Sequence, residues 1–161
     1  MSPSTSESET KSIVAVACDH AAVSAKRVVI DALDSLGCEV CDFGADGSES
    51  VDYPDYAVKV GEAVASGEAA RGILLCGTGI GMAIAANKVS GVRAALVHDV
   101  TTARMSRLHN DANVLVLGGG MLGDRVIREI VATWMVTEFE GGRHQRRVDK
   151  INALDDSASN R

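Results

Sequence analysis

The sequence predicts an α/β protein, a three-layer α/β/α sandwich around a five-stranded parallel sheet with a projecting C-terminal helix. Three observations carry that prediction. Short apolar runs alternate with stretches of helical periodicity, and glycines or polar turns punctuate them. Hydrophobic residues make up 46% of the chain and aromatics only 3%, so the core is built from Ala, Val, Ile and Leu. Parallel strands joined by right-handed crossovers then place helices on both faces of one sheet.

Residues 1 to 11 are rich in Ser, Thr and Glu and hold almost nothing to bury, the composition of a disordered tail. The apolar run Ile13 to Cys18 predicts the first strand. Val23, Val28, Ile30, Leu33 and Leu36 follow at helical spacing until Gly37. Glu39 to Phe43 predicts a second strand, and Gly44 to Asp52 a polar loop. Pro54 suits the first turn of the next helix, which carries Ala57, Val60, Gly61 and Val64. Gly72 to Cys76 reads as a buried strand, the glycine turn follows, and Ile80 to Asn87 resumes as helix. Arg93 to Val97, Thr101 to His109, Val114 to Leu117 and Asp124 to Thr137 continue the alternation as strand, helix, strand, helix. Beyond Gly141-Gly142 a basic helix is expected over 142–153, an arm of a domain spanning 12–154. Residues 155–161 read as a second frayed tail.

A formal net charge of -6 argues against a broad nucleic-acid surface, which needs clustered Lys and Arg. The basic patch Arg143, Arg146 and Arg147 is sized for a small phosphate instead. No apolar run approaches membrane-span length, and the first residues lack the features of a secretory signal, so a soluble cytoplasmic protein is expected. The four cysteines, Cys18, Cys38, Cys41 and Cys76, read as thiols. Cys38 and Cys41 sit on an expected strand, where residues three apart face opposite sides and share no metal.

Ligands of such sheets gather at the carboxyl ends of the strands. Cys18-Asp19-His20, Cys76-Gly77-Thr78, His98-Asp99 and Gly118-Gly119-Gly120 all fall on that edge. Backbone N–H groups around Gly77 to Gly81 can cradle a phosphate or an enolate, and Cys76 beside them becomes a candidate general base. A buried strand cysteine that only packs is the competing reading. Dinucleotide binding is another, since Gly77-x-Gly79 follows a strand and Asp99 lies downstream, but Met82 stands where the third fingerprint glycine belongs. Asp19 and His20 fit either proton transfer or a helix cap with a surface histidine. His109-Asn110-Asp111 is equally consistent with the end of a helix and a turn.

Together, Cys18-Asp19-His20, Asp52-Tyr53-Pro54, Cys76-Gly77-Thr78-Gly79-Ile80-Gly81, Ala85-Ala86-Asn87-Lys88, His109-Asn110-Asp111-Ala112-Asn113 and Glu140-Gly141-Gly142-Arg143-His144 resemble segments of the ribose-5-phosphate isomerase B family. That family includes galactose-6-phosphate and allose-6-phosphate isomerases, and the resemblance covers about residues 13 to 153 in unbroken order. It implies a Rossmann-like fold and an aldose–ketose isomerase that passes through an enediolate without metal or cofactor. It also implies that Cys76 is the base, that Gly77, Gly79 and Gly81 belong to the enediolate cradle, and that Thr78 bonds near the reacting carbons. His109 with Asp19 would open the furanose ring. Tyr53 and Asn110 would face the substrate, while His20, Arg143 and Arg147 would hold the phosphate. The two arginines would come from a neighbouring subunit of a homodimer or dimer of dimers.

One departure concerns Leu117-Gly118-Gly119-Gly120, where many relatives have an arginine at the position of Gly120, so an expected phosphate contact is missing. Ribose 5-phosphate is the first expected substrate, with allose 6-phosphate, galactose 6-phosphate or a free sugar as alternatives. A nucleotide-binding domain and a non-catalytic sugar-phosphate sensor are readings of other classes. Retention of Cys76, Thr78, Asp19 and His109 together speaks against the sensor.

Overall fold

The structure, a computed structural model, describes residues 12–158; the expected N-terminal tail lies outside them. Five strands form one parallel sheet: β1 (Ile13–Cys18), β2 (Glu39–Asp42), β3 (Arg71–Cys76), β4 (Ala94–Leu96) and β5 (Val114–Gly118), in the order β2-β1-β3-β5-β4. The helices are α1 (Val23–Ser35), α2 (Tyr53–Ala65), α3 (Ile80–Ala86), α4 (Val100–Asn110), α5 (Asp124–Val136) and α6 (Arg143–Ala158). A single 3₁₀ turn, His20–Ala22, precedes α1.

Side-chain alternation along the strands builds two cores. Val14, Val16, Cys18, Ile73, Leu75, Leu115 and Leu117 pack on the face covered by α1, α4 and α5, where Trp134 is fully buried. Ala15, Ala17, Leu74, Cys76, Val114 and Val116 pack on the opposite face against α2 and α3. The same alternation sends Cys38 towards the first core, while Cys41 lines a depression on the α2 side with Ala15 and Ala63. The pair cannot share a metal, as its spacing predicts.

The chain order reverses between β1 and β3: β2 lies outward of β1 on one side, and everything after β3 lies on the other. That switch point opens a crevice at the strands' carboxyl ends. Three backbone bonds knit this edge: Asp19 N–H to Leu75 O at 3.2 Å, Gly119 N–H to Cys76 O at 2.8 Å, and Gly120 N–H to Gly77 O at 3.0 Å. The residues that follow β1, β3 and β5 are therefore held together as one surface.

Helix α6 differs from the sequence expectation in length. It continues to Ala158 instead of stopping near residue 153, with Asp155 Oδ2 accepting the Gly91 N–H at 2.8 Å. A highly polar helix, with only its buried His144 and Val148 for apolar anchorage, gives little periodic signal of its end. No helix among the described residues is long and apolar enough to cross a membrane.

Candidate active site

Cys76 ends β3, 5% exposed, with its sulfur at the start of the glycine turn. Its Sγ accepts the Gly79 N–H at 3.1 Å. That bond fixes the sulfur at the lip of the crevice and provides a donor suited to an anionic sulfur. Gly79 makes it possible by adopting φ 78°, the left-handed region. A Cβ on Gly79 would also come within 2.5 Å of Leu96 Cδ1 and 3.0 Å of the Leu117 carbonyl carbon. Gly79→Ala is therefore expected to cost at least about 1–3 kcal/mol from backbone strain alone, read as a lowered denaturant midpoint together with lost activity. An Ala variant as stable as wild type would contradict this geometry.

Thr78 is exposed on the turn, its Oγ1 accepting the Ile80 N–H at 3.3 Å. Tyr53, at the start of α2, lays its ring over Gly81, and a Cβ there would fall on the ring. Asp19 is 7% exposed and caps the 3₁₀ turn, Oδ1 accepting the Ala21 N–H at 3.0 Å. The cap reading of Asp19 is what the structure shows, while its backbone N–H ties the residue to the end of β3 through Leu75 O. His20 is exposed and its Nδ1 accepts the Val51 N–H at 3.2 Å. Asp19, His20, Tyr53, Cys76, Thr78 and the turn Gly77–Gly81 thus meet at the strands' carboxyl edge.

The other strand-end cysteine behaves differently. Burial pushes the Cys18 thiol up to about 11, with the nearby Lys26 charge only partly opposing it. Its Sγ–H donates to Ala45 O at 3.4 Å, so it remains a packing thiol at neutral pH.

His109, Asn110, Arg143 and Arg147 lie elsewhere. Helices return antiparallel to the strands, so the carboxyl end of α4 and the start of α6 sit at the amino edge of the sheet. Asn110 O accepts from Arg93 Nε at 3.3 Å, just before β4 begins. The five residues of β5, at about 3.3 Å each, put roughly 15 Å between the two edges. Arg143 and Arg147 are exposed one helical turn apart. Within one chain these four residues are not brought together with the Cys76 turn.

Two features of the amino edge escape sequence reasoning. His109 stacks on the buried His144, and Glu140 Oε2 lies 3.8 Å from His109 Nε2. Ligand atoms of the three lie within 4.8 Å of one another. The rings are only 11° from parallel, however. Their in-plane lone pairs run side by side without converging, which describes a stack and not a ligand set. The only sequence signal was the conjunction of Glu140-Gly141-Gly142-Arg143-His144 with His109, and nothing local joins them.

Asp99, the acid of the dinucleotide alternative, is taken up as the cap of α4, accepting the Thr102 N–H at 2.7 Å beyond the edge strand β4.

Residues 14–151 match the family described as Ribose/Galactose Isomerase. The chain belongs to that family. Ribose-5-phosphate isomerase B of Escherichia coli (strain K12) is 45% identical over 142 residues, 88% of this chain and 95% of the relative. D-erythrulose-4-phosphate isomerase of Pectobacterium atrosepticum is 43% identical over 139 residues, 86% of this chain and 91% of that protein. Among solved structures, ribose-5-phosphate isomerase B of Clostridium thermocellum superposes with a TM-score of 0.89 at 51% identity, covering 91% of this chain and 99% of that one. Membership of the ribose/galactose isomerase family agrees with the fold expected from the strand–helix alternation.

Proposed function

We infer that this chain is a cytoplasmic aldose–ketose isomerase of sugar phosphates, acting on ribose 5-phosphate and ribulose 5-phosphate through an enediolate, with residues 12–154 as its isomerase domain. The observation that carries the reading is Cys76 Sγ held by the Gly79 N–H in an open glycine turn at the β1/β3 switch point, beside Asp19. The reaction moves one proton between C1 and C2 while negative charge passes to an oxygen. A polarisable base next to unobstructed backbone donors meets both needs. Gly77 supports this opening, since a Cβ there would meet no other atom within 4 Å.

In the proposed sequence, the ring of ribose 5-phosphate opens as its anomeric hydroxyl loses a proton and its ring oxygen gains one, served by His109 and Asp19. Cys76 then takes the C2 proton to give the enediolate, the O2 hydroxyl proton passes to O1, and Cys76 returns its proton to C1, while N–H groups of the turn hold the developing oxyanion and Thr78 bonds beside it. Tyr53 and Asn110 face the sugar, and His20, Arg143 and Arg147 hold the phosphate. Protein groups suffice for these steps without metal or cofactor.

The separation of the two edges supports a homodimeric site. His109, Asn110, Arg143 and Arg147 reach a Cys76 turn only from a second copy. Ile80 and Ile84, 53% and 60% exposed on α3 beside the turn, offer that copy an apolar contact. Cys76→Ala and His109→Ala chains, each inactive alone, are expected to recover roughly a quarter of wild-type activity when co-assembled, because half the random dimers carry one intact site. Recovery of nothing would place all groups of a working site in one chain.

The direct test measures turnover of ribose 5-phosphate in the presence of a chelator, alongside erythrose 4-phosphate, allose 6-phosphate, galactose 6-phosphate and free sugars. Preference for any of the others would move the substrate assignment within the same chemistry. Gly120 places no cation at the crevice, so phosphate binding would rest on His20 and the neighbouring copy's arginines.

A further inference from the structure

The His109 imidazole lies face to face with that of His144, ring centroids 4.1 Å apart. Consecutive left-handed glycines, Gly141 at φ 67° and Gly142 at φ 53°, turn the chain so that α6 starts beneath the end of α4. Glu140 N–H donates to Leu108 O at 3.1 Å, and His144 N–H donates to Gly141 O at 3.0 Å. The first bond ties the approach to α6 to the end of α4, and the second closes the turn that starts α6. His144 is 5% exposed and, with Val148, forms the buried seam of an otherwise polar helix. An aliphatic residue would fill such a seam without penalty. A histidine there leaves Nε2 buried without a hydrogen-bond partner, a cost that packing alone does not require.

We propose that His144 is a positioning residue for ring opening: its buried ring clamps the His109 imidazole in one plane, so that His109 meets the furanose bound by a neighbouring copy in a fixed orientation. The proposal rests on the assignment of His109 to ring opening. Burial foremost, and then the His109 charge, hold the His144 pKa below the ordinary imidazole range, with Glu140 opposing and Arg143 and Arg147 reinforcing the shift. A neutral His144 can stack on His109 in either protonation state without adding a second charge. Glu140 Oε2 lies 3.8 Å from His109 Nε2, beyond hydrogen-bond distance, so the stack and not an ion pair sets the plane of the ring.

The test uses a difference between the two substrates. Ribose 5-phosphate enters as a furanose and needs opening. Ribulose 5-phosphate has no free hydroxyl placed to close a five-membered ring, so enediolate formation from it, read as exchange of its C1 proton in deuterated water, needs only the base and the turn. His144→Leu fills the seam without a flat ring, whereas His144→Phe restores one. In full-length enzyme, His144→Leu is expected to lower kcat for ribose 5-phosphate at least about tenfold, within the range of a misplaced acid–base group, with KM little changed. Its C1 exchange should stay near the wild-type rate, and His144→Phe should recover most of the lost kcat.

Equal loss in both measurements would overturn the proposal and leave His144 a structural residue. A Leu variant with wild-type turnover, or a Phe variant no better than Leu, would overturn it too. Cys76→Ala keeps the two ideas apart: if it retains C1 exchange, the base assignment falls, whereas a failure confined to the His144 variants removes only the positioning role.

Discussion

Cys76→Ala is expected to lower kcat by about 10²–10⁴-fold, the usual contribution of a positioned acid–base group, while leaving KM within a small factor. The sulfur is the only atom removed, and it is the acceptor of the Gly79 N–H. Removal therefore has two consequences that must be separated. The chemical one is the loss of a group able to carry the C2 proton. The structural one is a backbone donor left without its acceptor in a residue of low exposure, worth roughly 1–3 kcal/mol. Cys76→Ser separates them. Its hydroxyl can still accept from Gly79, so stability should return towards wild type, but an alcohol is far too weak an acid to supply the anionic base and turnover should stay low. Steady-state kinetics with urea unfolding of both variants checks the pair. An alanine variant keeping more than about a tenth of wild-type kcat would remove Cys76 from the mechanism, because no general base is so dispensable.

The position of Cys76 was legible in the sequence because every element of its setting is local: an apolar strand, a cysteine, then glycines that only a tight turn requires. The five strands and their alternation with helices were legible for the same reason. Periodicity reports which face of each element is buried, and the two cores follow from it. The strand order was not legible. Nothing in the spacing says that β5 inserts between β3 and β4. Nor could periodicity show that His109 and Cys76 lie at opposite edges of one chain, since both simply terminate elements. The His109–His144 stack joins segments with no local relation, and two left-handed glycines create it. Lys26 was invisible for the opposite reason: a lysine in an amphipathic helix reads as a solvated face, whereas here it is among the most deeply buried side chains.

Replacing that buried lysine is expected to have a large effect on stability. Lys26 Nζ donates to Asp42 Oδ1 at 2.8 Å, Asp46 Oδ1 at 2.8 Å and Ala45 O at 2.9 Å, using all three of its protons. The loop it grips is bonded to the end of β1, with Cys18 N–H donating to Gly44 O and Ala45 N–H to Cys18 O, both at 2.7 Å. Asp19 is the next residue, so Lys26 fixes the backbone that presents the carboxylate. Lys26→Met keeps the aliphatic stem and removes the charge. The expected cost is about 2–4 kcal/mol, below the upper end for a broken buried pair because Asp46 is mostly exposed and rehydrates. For a chain of this size that lowers Tm by roughly 5–15 °C.

The pH dependence has a definite sign. Burial foremost disfavours the ammonium, but the hydrogen bonds it donates to Asp42 and Asp46, together with the Asp42 charge, outweigh that and leave the Lys26 pKa above its ordinary value. A raised pKa in the folded state means that the contribution is complete below the unfolded value and fades as pH rises through the folded one. The hydrogen bond from Lys26 foremost lowers the Asp46 pKa, so that part is present above the ordinary carboxylate value and is lost in acid. The Tm gap between wild type and Lys26→Met should therefore be widest from about pH 5 to pH 9 and narrow towards both extremes. A gap that persists unchanged into strong alkali would show that the lysine stabilises by packing its stem, not by its charge. Because the loop presents Asp19, kcat for ribose 5-phosphate should fall in Lys26→Met even at temperatures where the variant remains folded.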